Sequence, residues 1–248
     1  MGALRNILAR YTVVVDAKTL TELARKLEKV KAKFESFGKW GAGFLAAEAF
    51  GMYKLVRASS DAEESLNILQ GTFGDNAQKV LNWSDEASQR LKRSKYELQD
   101  SGGRMGAFLE PVMRGVNVNI DEMSTKLAEL SVDLASFYND SDKEASMRLF
   151  SGLQGETESI RRYGVDISDK ALENFQRKQG DNRNYDSLTL PEKSLLRFQK
   201  VLEDTSLKQG DAVRTASSLA NRTKYLQGRI HDLSVEIGDK LKPAAKQL

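Results

Sequence analysis

The chain is 248 residues long, with 40% hydrophobic and 29% charged residues, which is ordinary for a soluble globular protein and sufficient for a sizeable core. Its 38 Lys and Arg and 35 Asp and Glu are interspersed and leave a net charge of +3, without the basic stripe that duplex-DNA-binding proteins show. The absence of cysteine excludes disulfides and thiolate metal sites. Met1 to Arg10 lack the continuous apolar run of a secretory signal.

With only 3 prolines and frequent Ala, Leu, Lys, Glu and Gln, helix costs little over most of the chain. We predict an all-α fold, a multi-helix domain with one short N-terminal strand at Tyr11–Val15 and long amphipathic N- and C-terminal helices. The predicted divisions are an N-terminal part at residues 1–58, a helical core at 59–180, a loop at 181–190, and long C-terminal helices at 191–248.

The first helix after the strand carries apolar residues at alternating spacings of three and four, with Lys, Arg and Glu between them. Those residues are Leu20, Leu23, Leu27, Val30 and Phe34. This spacing is typical of a coiled-coil seam, and we assign it to self-association. The alternative is a single helix that packs on its own domain.

The next stretch, from Phe37 to Val56, is rich in glycine, alanine and large apolar side chains. Its large residues are Phe37, Trp40, Phe44, Leu45, Phe50, Met52, Leu55 and Val56. A central charge costs roughly 2.5–3.5 kcal/mol on insertion scales, so Glu48 argues against a resident membrane span. Two interpretations stay open: a buried or oligomer-facing helix, and a conditional membrane-active segment.

Glycine and capping residues divide the middle of the chain into predicted helices. The predicted helices and breaks are Ser59–Leu69 ending at Gly71, a helix with Trp83 from Asp75–Asn76 to Arg93, a break at Ser101–Gly103, Met105–Arg114 ending at Gly115, a helix capped by Asp121, one from Asp140–Asp142 to Gly152, and Glu156–Tyr163 before Gly164. Val165–Ile167 is a candidate edge strand, and Ser168 is predicted to cap the helix after it.

The C-terminal part begins with the loop-like tract Gly180–Ser187 and a predicted helix start at Thr189–Glu192. One long helix is predicted from Asp211 to Leu241, interrupted by Gly228 and Gly238 and stopped or bent by Pro243. Its apolar stripe contains Leu219, Leu226, Ile230, Leu233, Ile237 and Leu241. We assign Leu226, Ile230, Leu233 and Ile237 to a second self-association surface.

No catalytic or ligand-binding constellation is visible in the sequence. The single histidine, His231, stands beside Asp232, but adjacent helix residues do not face one another, which favours a surface histidine. The stretch Gly102–Gly106 lacks the Lys and the preceding strand of a phosphate-binding loop. We expect Arg161 and Arg162 to pair with nearby acids and the tryptophans to act as packing anchors. We therefore expect no enzyme activity, no cofactor and no metal.

Five segments, in order along nearly the whole chain, carry a family resemblance. They are Ser59–Glu64, Thr72–Asn76 with Trp83, Met123–Phe137, Gly152–Val165 (with Ser159 where a proline is usual), and Gln209–Thr215 with Asn221 and Ile237–Pro243. Together they resemble the N-terminal domain of phage tail tape measure proteins, which belong to the minor tail protein family. The motif residues cap helices or line their faces, so they are markers of a fold.

The resemblance implies a homo-oligomer, a trimer or hexamer, in the lumen of the viral tail. Such a protein scaffolds tail assembly in the host cytoplasm and leaves with or ahead of DNA to help genome delivery across the host envelope. Implied partners are tail tube, portal or tip proteins, the host membrane on ejection, and viral DNA as a non-specific neighbour. Because the long helical tape of the family is missing after Pro243, a processed product is one expectation. The alternatives are an internal ejection protein of a short-tailed phage that forms a membrane channel, and a stand-alone membrane-active pore former.

Overall fold

The computed structural model describes the backbone of residues 42–245 and the side chains of residues 53–240 and of Lys242. The predicted strand at Tyr11–Val15 and the seam from Leu20 to Phe34 lie outside the described residues. The described backbone forms ten α-helices: α1 Ala42–Phe73, α2 Ala77–Leu91, α3 Lys95–Val112, α4 Ile120–Phe137, α5 Asp142–Gln154, α6 Thr157–Arg161, α7 Asp169–Lys178, α8 Leu190–Asp204, α9 Asp211–Arg214 and α10 Leu219–Ala245. The predicted all-α class is confirmed.

The chain divides into two compact units, Met1–Tyr53 and Lys54–Leu248, and every side-chain contact described below belongs to the second. The larger hydrophobic cluster of that unit draws its buried residues from α3 to α8. At its centre α4 packs against α3 and α5, with Leu127, Leu134 and Leu149 fully buried. A smaller cluster joins α2, α3 and α4 around Leu91 and Val132. Because α8 contributes Leu196, Phe198 and Val201 to the larger cluster, that core extends across the 181–190 segment.

The predicted break at Ser101–Gly103 is wrong, since α3 continues through it. These glycines lie where helices approach closely: a Cβ on Gly102 would be 3.3 Å from the Trp83 ring, and one on Gly103 would be 3.4 Å from Leu69. Gly106 faces the ring of Phe73 with no room for a Cβ. A glycine can therefore mark tight packing as well as a helix end, although it costs helix stability.

Other predicted helix ends are shifted for a related reason. The helix α1 is continuous from the apolar stretch through Ser59 and Gly71 to Phe73. The helix α5 passes Gly152 and ends two residues later, where Gly155 adopts a φ of 106° that suits glycine. Asn119 precedes α4, without a side-chain cap, so Asp121 lies in the first turn instead of capping it.

Two helix starts follow from local capping chemistry, as predicted. The Ser141 side chain accepts a hydrogen bond from the Glu144 amide and begins α5. At α8, Thr189 accepts from the Glu192 amide while the Glu192 carboxylate accepts from the Thr189 amide, a reciprocal capping box with Pro191 in the first turn.

The predicted long helix from Asp211 to Leu241 is wrong as a single element. It is two helices, α9 and α10, separated at residues 215–218. The interruption is explained by side chains that compete for the backbone: Ser218 accepts from the Asn221 amide at 3.2 Å, and Asn221 donates to the Thr215 carbonyl. The stretch Val165–Ile167 is not a strand, and its two apolar side chains are buried in the larger cluster.

Substituting two helical glycines with alanine should move stability in opposite directions. A Cβ on Gly152 would lie 2.6 Å from both Cδ1 and Cγ2 of the buried Ile160, so we expect Gly152→Ala to lower the free energy of unfolding by about 1–3 kcal/mol. Nothing lies within 4 Å of a Cβ on Gly71, so the matched Gly71→Ala should raise it by about 0.5–1 kcal/mol. Urea unfolding followed by circular dichroism measures both, and equal effects would contradict this packing.

Candidate functional site

The C-terminal helix α10 is held to the rest of its unit by polar and small residues. The buried members of this face are Asn221, Gly228, Asp232, Val235 and Gly238. A Cβ on Gly228 would lie 2.7 Å from the backbone nitrogen of Ser94, and Gly238 lies against the Leu55 carbonyl. Close backbone approach and hydrogen bonds therefore hold the inward face of α10, with Val235 the one large apolar side chain among its buried members.

The connection before α10 depends on the buried carboxylate of Asp133 on α4. Asp133 accepts hydrogen bonds from the amides of Gly210, at 2.7 Å, and Ala212, at 3.1 Å. Burial raises the pKa of this carboxyl, and the two amide donors oppose that rise. One carboxylate thus satisfies two backbone donors at the start of α9 and ties it to α4.

A chain of polar contacts continues from α9 to the start of α5. Ser136 donates to Asp211 at 2.7 Å and accepts from the Asn221 side chain at 2.8 Å. The side-chain oxygen Oδ1 of Asn221 in turn accepts from Arg93 at 2.9 Å. Arg93, only 3% exposed, also pairs with Asp142 and donates to the carbonyls of residues 91 and 92. The buried charge of Arg93 is therefore surrounded by polar partners, as burial of a charge requires.

A second cation, Lys224 of α10, lies next to this chain of polar contacts. The Lys224 ammonium donates to the carbonyls of Ala135, at 2.9 Å, and Asp140, at 2.5 Å, and lies 3.5 Å from the Asp142 carboxylate. Burial lowers the pKa of Lys224, and the neighbouring Asp142 opposes that change. Lys224 therefore binds carbonyls at the C-terminal end of α4, where carbonyls without a helical partner attract cations.

Ser94 brings together the residues that resemble a hydrolase constellation most closely. Its hydroxyl lies 2.5 Å from the Asp232 carboxylate and 3.2 Å from His231 Nδ1, and it accepts from the Glu97 amide as the cap of α3. The single hydroxyl proton goes to Asp232, and no hydrogen bond joins the Asp232 carboxylate to the His231 imidazole. In a nucleophilic triad the base must face the hydroxyl and be oriented by the acid, so this arrangement is an N-cap rather than a triad.

An open cleft of about 990 Å³ lies beside these residues and is lined by α1, α3, α4, α5 and α10. Its lining carries both signs of charge, and these charges pair with one another: Arg104 with Asp100 of the same helix, and Arg93 with Asp142 of α5. Among the described side chains, no group of three or more His, Cys, Asp and Glu could hold a metal ion.

The structure places the predicted self-association residues of α10 on its outer side. Leu226 is 51% and Ile230 38% exposed, while Leu233 and Ile237 are half-buried. Of the membrane-active candidates, Leu55 and Val56 are half-buried on α1. Phe44, Leu45, Phe50 and Met52 belong to the same helix but their side chains are not described, and Phe37 and Trp40 lie outside the described residues. Within the described part of the chain, no helix is long and apolar enough to cross a membrane.

Sequence reasoning missed the network around Asp133, Arg93 and Ser94. Its partners are far apart in sequence: Asp133 and Gly210 are separated by 77 positions, and Ser94 and Asp232 by 138. Their only sequence signal was that Asp133, Asp211 and Asn221 stand inside the motif segments. The expected pairing of the two neighbouring arginines is confirmed, with Arg161 on Glu158 and Arg162 on Asp140.

Comparison with known proteins adds no relative. No protein-family model matches the chain, and neither the curated proteins nor the solved structures contain a match.

Removing the Asp133 carboxylate should destabilise the protein more than replacing it with an amide. Asp133→Ala leaves the amides of Gly210 and Ala212 buried without an acceptor, so we expect a loss of about 2–4 kcal/mol. Asp133→Asn keeps one acceptor and should lose about half as much. The exposed Asp75→Ala serves as the control in urea unfolding, and an Asp133→Ala variant as stable as that control would contradict the role assigned to this carboxylate.

Stability should depend on pH through Asp232. Burial raises the pKa of its carboxyl, against the opposing hydrogen bond from Ser94 and the charge of Arg229. A raised folded-state pKa means that the folded protein binds the proton more tightly, so this contribution is present at low pH and is lost as pH rises through the raised value. As pH falls from about 7 to about 4, the wild-type protein should therefore become more stable relative to Asp232→Asn. The urea midpoints of the two proteins at each pH measure this difference. A constant difference across that range would contradict it.

Proposed function

We propose that this chain is a non-enzymatic structural protein of the tape measure type. It acts in the lumen of a viral tail as an assembly scaffold and is ejected with or ahead of DNA to help genome delivery across the host envelope. The observation that supports this most directly is the contact between two of the motif segments. Asp133 and Ser136 of the Met123–Phe137 segment bind Gly210, Asp211 and Ala212 of the Gln209–Thr215 segment.

This contact explains why both segments would occur together in a structural family. The carboxylate of one segment needs the amides of the other, and the conformation of Gly210, with a φ of 77°, suits glycine. A shared motif of this kind preserves a fold and implies nothing about catalysis. The resemblance and the folded contact therefore support the same interpretation, in which these residues hold a scaffold together.

The polar chemistry of the described region also favours a structural role. The Ser94 hydroxyl is used as a helix cap and donates to Asp232, and Arg93 binds Asp142, Asn221 and two carbonyls. A catalytic group is instead expected to be oriented towards a space where a substrate can lie. These side chains are oriented towards one another, and their effect is to fix α10 in place.

The scaffold role requires self-association, and α10 offers a surface for it. Its apolar stripe faces away from the polar network that holds the helix, and Leu226 and Ile230 are exposed.

Protease protection in purified particles tests this proposal. In the phage that encodes the chain, an antibody should detect it in purified virions, and it should resist added protease while the particles are intact. After DNA release is triggered, the same antibody should find the chain in the medium or in added host-envelope vesicles, where protease degrades it. The tail tube protein, which stays in the particle, is the control. Absence of the chain from virions, or digestion in intact particles, would overturn the tail-lumen role.

A further inference from the structure

The outer face of α10 is apolar while its inner face is polar, which reverses the usual arrangement of a surface helix. At about 100° per residue, Leu226, Ile230, Leu233 and Ile237 share an arc of about 60°, centred opposite Asn221, Gly228, Asp232 and Val235. The inner residues are 5% exposed or less, or are buried glycine, whereas Leu226 is 51% exposed. The helix is therefore already held through one face and presents a second, apolar face.

The spacing of the four stripe residues is four, three and four, the order of alternating core positions in a two-helix coiled coil. Such an order is self-complementary when a second copy runs in the opposite direction. Leu226 then meets Ile237 of the second copy, and Ile230 meets Leu233, so that every large residue has an apolar partner. A two-fold axis passing between residues 231 and 232 generates each of these two contacts twice, as an isologous interface requires.

Charges beside the stripe favour the antiparallel direction. Arg229 and Glu236 are seven residues apart and lie on one flank, while Gln227 and Ser234 lie on the other. In an antiparallel pair, each flank of one helix lies next to the same flank of the other helix. Arg229 therefore approaches Glu236 of the second copy, and this contact occurs twice per dimer. A parallel pair would place the charged flank against the uncharged one and form no ion pair. Flanking charges of this kind set the orientation of helix pairs.

We propose that two copies of this chain associate through α10 in antiparallel orientation, with Leu226 on Ile237, Ile230 on Leu233 and Arg229 on Glu236. The inference rests on the self-association included in the proposed function and adds its direction and register. The stripe from residue 226 to 237 is only about 18 Å long. An interface of this size belongs to the weak, transient class, so the dimer should form and dissociate with protein concentration.

Single cysteines test the direction, because the chain contains none of its own. In the proposed register Leu226→Cys lies beside Ile237→Cys of the other copy, whereas two Leu226→Cys residues are about 16 Å apart, beyond disulfide reach. Mixing the two variants, one of them carrying a size tag, under mild oxidation should give the mixed disulfide and little of either self-disulfide. Lys126→Cys, exposed on α4 and not part of the stripe, is the control and should cross-link to neither.

A charge exchange tests the register independently. Arg229→Glu and Glu236→Arg should each weaken dimerisation about tenfold in sedimentation velocity, because two attractive pairs become repulsive. The double variant should restore wild-type association. Circular dichroism melting of each variant establishes that it folds before its association is compared.

The outcomes separate the two proposals. Self-disulfides of Leu226→Cys would show a parallel pair and overturn the antiparallel register. Self-association without any α10 cross-link, or a double variant that fails to recover, would overturn the pairing on α10 and leave the proposed function intact. A wild-type chain that stays monomeric at the highest attainable concentration would overturn the self-association itself, while the virion experiment above still tests tail location separately.

Discussion

The buried carboxylate of Asp133 is the interaction on which the C-terminal part of this unit depends. It accepts two backbone amides, from Gly210 and Ala212, at the point where the chain turns into α9. That fixes Asp211 where Ser136 can reach it, and through Ser136 it fixes Asn221 at the start of α10. The position of α10 thus follows from a carboxylate on α4. The cost of burying that charge, visible in its raised pKa, is offset by the donors that surround it.

Attachment through polar groups has a structural consequence for α10. Hydrogen bonds from Asn221 and Lys224 are directional and tolerate little displacement. Gly228 and Gly238 pack directly against the backbone of other parts of the chain, which fixes how closely α10 approaches them. Apolar packing would allow the helix to slide or rotate more freely. Burying ionic and polar groups adds little net stability, but it can specify one arrangement. The helix is therefore located accurately while its Leu and Ile residues stay available on the other side.

Sequence patterns captured the helical class and the local starts of helices, because propensity and capping act over three or four residues. Thr189 and Glu192, or Ser141 and Glu144, are close enough in sequence for their bond to be foreseen. Glycine was misleading where its cause was tertiary. The predicted break contained Gly102 and Gly103, yet α3 continues through both, and they accommodate the Trp83 ring and the Leu69 side chain from other helices. The network around Asp133 and Arg93 could not be foreseen, since its partners lie dozens of residues apart and no local pattern joins them.

The apolar stripe of α10 was visible in the sequence, but its meaning depended on the structure. A periodic row of Leu and Ile ordinarily marks the side of a helix that faces its own core. Here the inward side is identified independently, by Asn221 and Asp232, both 5% exposed or less, and by the glycines that meet backbone. With that side occupied, the row from Leu226 to Ile237 must face away from the network that holds the helix. The same row on a helix held by apolar contacts would have been an ordinary core face, so the polar attachment of α10 gives the stripe its significance for assembly.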